Sequence, residues 1–114
     1  MALSKDRAAI TQLTATGTST TLDVSASYGH TLYLRHSNGT GTPSTIGSVR
    51  VQAKPSGGTF IDVAPYSFSA VATEANSYPC LIPDDAVSVQ LIYTAPAGTT
   101  GHTLDAEVGR ITSL

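Results

Sequence analysis

The chain has 114 residues, 40% of them hydrophobic and 12% charged, with a formal net charge of -2, which suits one compact domain and excludes a second independent core. Charged side chains normally fill about a quarter of a soluble domain; here Ser and Thr supply about a quarter of all positions instead and strong helix formers are scarce, a β-protein composition. The six Lys and Arg are spread along the chain, leaving no basic footprint for direct nucleic-acid binding, and no apolar run reaches the ~18 residues of a membrane span.

In chain order, the start MALSKDRAAI lacks the apolar stretch of a secretory signal. Met1 to Arg7 is expected to form an N-terminal arm ahead of a single β-sandwich domain over residues 8–114. Ala8 to Thr16 reads as the first strand, with Ala8, Ile10 and Gln12 on one face, Leu13 on the other and Gly17 at its end. Thr20 to Val24 puts Leu22 and Val24 together, before a turn at Ser27 to Gly29. His30 to Ser37 places His30, Leu32, Leu34 and His36 on one face and Thr31, Tyr33 and Arg35 on the other, the alternation of a half-buried strand. Asn38 to Ser44 is rich in breakers and forms the longest loop.

Ser48 to Lys54 turns Val49, Val51 and Ala53 inward. Pro55-Ser56-Gly57-Gly58 then reverses it into Thr59 to Ala64, where Phe60, Asp62 and Ala64 oppose Ile61 and Val63. Tyr66 to Thr73 and Ser77 to Ile82 read as further strands, followed by a turn at Pro83-Asp84-Asp85-Ala86. Val87 to Thr94 groups Val87, Val89, Leu91 and Tyr93. Ala95 to Gly101 is a second, flexible loop, and His102 to Ile111 is a last strand with Leu104, Ala106 and Val108 inward. Ala8-Ala9 and Ala70 to Ala75 are the only candidates for a helical turn, and both are interrupted. About eight strands with turn signals roughly every 8 to 12 residues predict an all-β, antiparallel β-sandwich, jelly-roll-like, with an immunoglobulin-like sandwich as the alternative.

Nothing in the chain spells a reaction. His30 and His36 share a strand face but lie roughly 20 Å apart at ~3.3 Å per residue, His102 opens the last strand, and no Gly-x-Ser-x-Gly elbow is present. No His or Cys spacing suits a metal. Gly39, Gly41 and Gly47 are turn formers, Cys80 is a lone structural thiol, and Asp105 and Glu107 belong to a solvated outer face. No catalytic residue, cofactor or metal site is therefore expected, and the protein reads as a non-enzyme. Tyr33 beside Arg35 is the best exposed aromatic pair, suited to a protein interface ahead of sugar stacking.

The signal-free leader and the Ser/Thr/Gly-rich β domain, with Thr31-Leu32-Tyr33-Leu34-Arg35, Val49-Arg50-Val51-Gln52 and Ile82-Pro83-Asp84-Asp85-Ala86, resemble small virion proteins of tailed bacteriophages, in the style of capsid decoration, or cement, proteins. The resemblance implies a structural protein, made in the host cytoplasm and carried in the virion. Such a protein binds major capsid protein or other virion proteins as a trimer or dimer, with neither nucleic acid nor membrane as partner. The candidate interface residues are Met1, Ala2, Leu3, Lys5, Arg7, Tyr33 and Arg35. A glycan-binding module of a tail fibre and a head–tail connector are the competing readings.

Overall fold

The computed structural model describes residues 4–68, 80–83 and 85–113. Along them run β1 (Ser4–Leu13), β2 (Gly17–Thr18), β3 (Leu22–Asp23), β4 (Tyr28–Ser37), β5 (Ser48–Pro55), β6 (Ile61–Ser67), β7 (Cys80–Ile82), β8 (Ala86–Thr94) and β9 (Thr103–Ser113). The strands form two antiparallel sheets. Sheet 1 has the order β1-β9-β4-β7, and sheet 2 the order β2-β8-β5-β6, with β3 also paired to β8. Because β2 and β3 both lie against β8, they fill one strand position between them. The pairs β1–β9, β2/β3–β8, β4–β7 and β5–β6 are then nested, like one long hairpin whose tip is the β5–β6 turn. That wiring is the jelly roll, and it decides between the two sandwich topologies.

The period-2 pattern explains the core. Leu32 and Leu34 of β4, Val49, Val51 and Ala53 of β5, Val89, Leu91 and Tyr93 of β8, and Leu104, Ala106 and Val108 of β9 are all buried between the sheets. Each large aliphatic residue among them contributes roughly 1.5 to 3 kcal/mol on leaving water. At one end of the sandwich Arg110 donates to both carboxylate oxygens of Asp6, at 2.8 and 2.7 Å, and to the carbonyl of Asp23 at 3.4 Å. It thereby ties β1 and β9 to β3 of the opposite sheet, and the guanidinium's hydrogen bond holds the Asp6 carboxyl below its ordinary range.

Several local expectations are corrected. The first strand begins at Ser4, where Ser4 to Arg7 pair with β9, so these residues are sheet edge rather than a free arm; Met1, Ala2 and Leu3 lie outside the described residues. Ala8-Ala9 is strand, not a helical turn, and Ala70 to Ala75 falls outside the described residues. A bulge lies between Ile10 and Leu13: Ile10 opposes Ala106 while Leu13 opposes Leu104. The extra residue returns Leu13 to the core side, where it packs on the buried cluster, instead of opposite Ile10. In β6 a second bulge sets Val51 against Ala64 but Gln52 against Asp62, so Asp62 and Ala64 face opposite ways. Pro65 sits inside β6 rather than between two strands, because β6 is the outermost strand of sheet 2 and needs no second ladder there.

The two glycine-rich loops are built against each other. Thr40 bridges Thr100, and Thr45 bridges Ala97, with backbone bonds of 2.8 to 3.2 Å across the gap. The expected flexible loop after β8 is thus a bridged one. Gly39 adopts φ +74, and a Cβ there would collide with the carbonyl of Thr100. Gly57, in the β5–β6 turn, has a similar φ of +73 but open space around it. Gly57→Ala should therefore cost about 1 kcal/mol, the left-handed penalty alone, whereas Gly39→Ala should cost at least twice that. Urea denaturation midpoints at unchanged m-value check the difference.

Candidate functional site

The outward residues of β1, β9 and β4 form one open face on sheet 1. Across it the register aligns Arg7 with Gly109 and Thr31, Ala9 with Glu107 and Tyr33, and Asp105 with Arg35. Arg7 leans diagonally over this grid. Its guanidinium carbon lies 5.3 Å from the centroid of the Tyr33 ring and its Nη1 3.3 Å from the Glu107 carboxylate. Gly109 lies under the ring, where an added Cβ would stand 3.5 Å from Tyr33 Cε2, in ordinary van der Waals contact. Farther along, Gln12 donates to Asp105 at 2.8 Å.

The Arg7–Tyr33 ridge separates two shallow depressions of ≈ 490 and ≈ 560 Å³. The first lies around Gly109, Lys5, Thr31 and Ile111. The second lies over Ala9, between Arg35, Asp105 and Glu107. Lys5, Arg7, Tyr33 and Arg35, picked from sequence, thus meet on one surface. Asp105 and Glu107 belong to the same surface; their outward parity was legible, but their place beside Arg7 and Arg35 follows from pairings across most of the chain length.

A second cluster was missed by sequence reasoning. His36 is fully buried, its ring stacked on Phe68 at 4.1 Å and 5°, with Nε2 2.6 Å from the Tyr93 hydroxyl. The Tyr93 ring is 6.4 Å from that of His102. Pairing of Ser37 with Thr103 and of Thr40 with Thr100 puts Asn38 opposite His102, two residues along from His36. Burial, with His102 nearby, pushes His36 down to about 4, and burial pushes Tyr93 up to about 12, so both are neutral at pH 7. His30, at the other end of β4, has separate partners, Ser27 Oγ at 2.9 Å and the Pro83 carbonyl at 3.4 Å. That serine–histidine pair closes a turn: Ser27 is buried against the Val24 carbonyl, and neither depression reaches it. Among the described residues no group of three or more His, Cys, Asp or Glu is placed to hold a metal ion, and no helix is long and apolar enough to cross a membrane.

No protein-family model matches the chain, and no curated protein matches it in sequence. Solved structures match it in fold. The SPBc2 prophage-derived protein YomS superposes with a TM-score of 0.56 at 11% identity, covering 97% of this chain and 97% of that one. Part of bacteriophage CBA120 tailspike protein 4 superposes with a TM-score of 0.51 at 11% identity, covering 96% of this chain and 19% of the tailspike domain. A family 29 carbohydrate-binding module, CBM29-2, gives a TM-score of 0.49 at 12% identity over 96% and 93% of the two chains. At such identities the likeness is one of architecture: a β-sandwich shared with proteins of phage origin.

The Arg7–Glu107 pair is about half exposed or more on both sides, and exposed pairs are worth little. A double-mutant cycle of Arg7→Ala and Glu107→Ala should give a coupling of about 0.2 to 1 kcal/mol, vanishing in 1 M salt. The fold is then held by the ladder beneath, and the face tolerates substitution.

Proposed function

We propose that the chain is a non-enzymatic structural protein of a phage particle, a decoration module that reinforces the outer surface of a capsid. The observation that carries this reading is the convergence of Lys5, Arg7, Tyr33 and Arg35 on one open face of a jelly roll. Aromatic and arginine side chains are the residue types that anchor protein interfaces. The fold likeness to a prophage-derived protein and to a phage tailspike supports the particle context. Sheet 1 would lie against major capsid protein or a neighbouring virion subunit, and a trimeric or dimeric state would multiply weak contacts on a symmetric lattice.

A glycan-binding module is the second reading, favoured by the tyrosine beside two depressions edged with carboxylates. Against it, Arg7 occupies a face of the Tyr33 ring that a sugar would stack on.

The test is co-sedimentation of the purified protein with genome-filled and emptied capsids of the phage that encodes it, after its mass in solution is fixed by light scattering. Saturation at a lattice-like ratio is expected, and Arg7→Ala, Tyr33→Ala and Arg35→Ala together should weaken it at least tenfold with the fold intact. Absence of capsid binding alongside affinity on a glycan array would overturn the decoration reading in favour of the sugar module.

A further inference from the structure

The buried polar cluster at the loop end is not used by the proposed interface, and it has an unusual makeup. The ring of His36 fills an apolar position between Phe68 and Tyr93. Its Nδ1, the Nδ1 of His102 and Thr99 Oγ1 are all buried, with no hydrogen-bond partner among the described residues. Such atoms are rare in native interiors, and here they gather beneath the two bridged loops. Among the described residues the surroundings of His36 supply no countercharge. Facing it are the neutral phenol of Tyr93 from β8, Phe68 after β6, and Gly47 from the first loop. The nearest titratable group acting on it as a charge is His102, of like sign when protonated. Carboxylates stand on the outer face of the same ladder, Asp105 beside Leu104 and Glu107 beside Ala106, with the sheet between them and His36.

From this arrangement we propose that His36, Tyr93 and His102 form an acid-released latch, which holds the loops 38–47 and 95–102 together over the sandwich end while His36 is neutral and lets them part when it gains a proton. An imidazolium at this position is an uncompensated buried charge, and hydration is the way to relieve it. The loops are the weakest barrier to water. They are joined by backbone bonds at Thr40–Thr100, Ser44–Ala97 and Ala97–Thr45, and Thr40, Ser44, Thr45, Ala97 and Thr100 are themselves exposed, whereas the sheets behind carry the packed core. The sign follows from linkage. The closed form binds the proton more weakly than the open one, so opening becomes easier as pH falls from about 6.5 towards about 4. This inference is independent of the virion reading, because the latch belongs to the isolated chain.

Native-state hydrogen exchange on the full chain, expressed as protection factors, tests it together with NMR titration of the histidine ring carbons. Between pH 7 and pH 4 the amides of Thr40, Ser44, Ala97 and Thr100 should lose protection by 10- to 100-fold, an order-of-magnitude expectation from the linkage, while the β5–β8 ladder keeps its protection. The His36 ring of the closed form should titrate at the lower end of that interval, near 4, where the loss of protection levels off. His102→Gln, at a partly exposed site, removes the like charge that holds the His36 proton affinity down and should move that midpoint to higher pH. Loop protection that stays flat to pH 4, or a His36 ring that takes up its proton near the ordinary histidine value with the loops still protected, would overturn the latch.

Discussion

The ladder between β4 and β9 determines most of what this molecule presents. On its inner side Leu32 opposes Val108, Leu34 opposes Ala106, and His36 opposes Leu104. On its outer side Thr31 opposes Gly109, Tyr33 opposes Glu107, and Arg35 opposes Asp105. A slip of one residue would exchange the two sets, placing Glu107 in the core and Val108 in water. Burial of the inner set therefore specifies the outer set, although the outer side chains contribute little stability of their own. The candidate surface is a by-product of packing in the strict sense: its geometry is enforced by residues that it does not contain.

The nested pairing explains where rigidity comes from. The β5–β6 hairpin closes locally, over a turn of a few residues, but β1 meets β9 across almost the whole chain. Distant pairings must overcome loop-closure entropy before they repay it. In sheet 1 that repayment comes from the buried Leu and Val of β4 and β9, and from Arg110, whose contacts with Asp6 and Asp23 reach from one sheet to the other. Among the described residues β1 and β6 stand at sheet edges. Lys5 and Arg7 on the first, and Pro65 on the second, are the residue types that discourage uncontrolled strand addition.

Alternation made much of this legible in advance. The inward sets of β4, β5, β8 and β9 follow from period two alone, as does the exposure of Tyr33 and Arg35. What escaped was everything that breaks the period. Leu13 and Ala64 lie on the core side because one extra residue is inserted near each, and no local pattern announces an insertion in a strand whose partner is unknown. The strand start at Ser4 escaped because Lys5, Asp6 and Arg7 carry no apolar alternation; their place in the sheet comes from β9 and from Arg110. The histidine cluster escaped for the same reason, since His36 and His102 are joined only once two loops, each rich in glycine, are found to bridge each other. The available signal was the shared parity of His36 with buried Leu34.

That parity sharpens the question of why a histidine stands at position 36. A leucine there would satisfy the apolar face, would leave no unpartnered nitrogen, and would spare the chain a group whose charging is opposed by burial. Hydrophobic replacements of buried polar groups are often neutral or stabilising. Stability alone thus argues against the residue, and its polar contact with Tyr93 does not offset the second nitrogen, which has no partner among the described residues. What histidine adds over leucine is directionality and a proton. The first helps set the loop register, because only one ring orientation both stacks on Phe68 and reaches the Tyr93 hydroxyl. The second makes closure of the loop end depend on pH, while the Tyr33 surface, on the far side of the same ladder, keeps its geometry from the apolar residues beneath it.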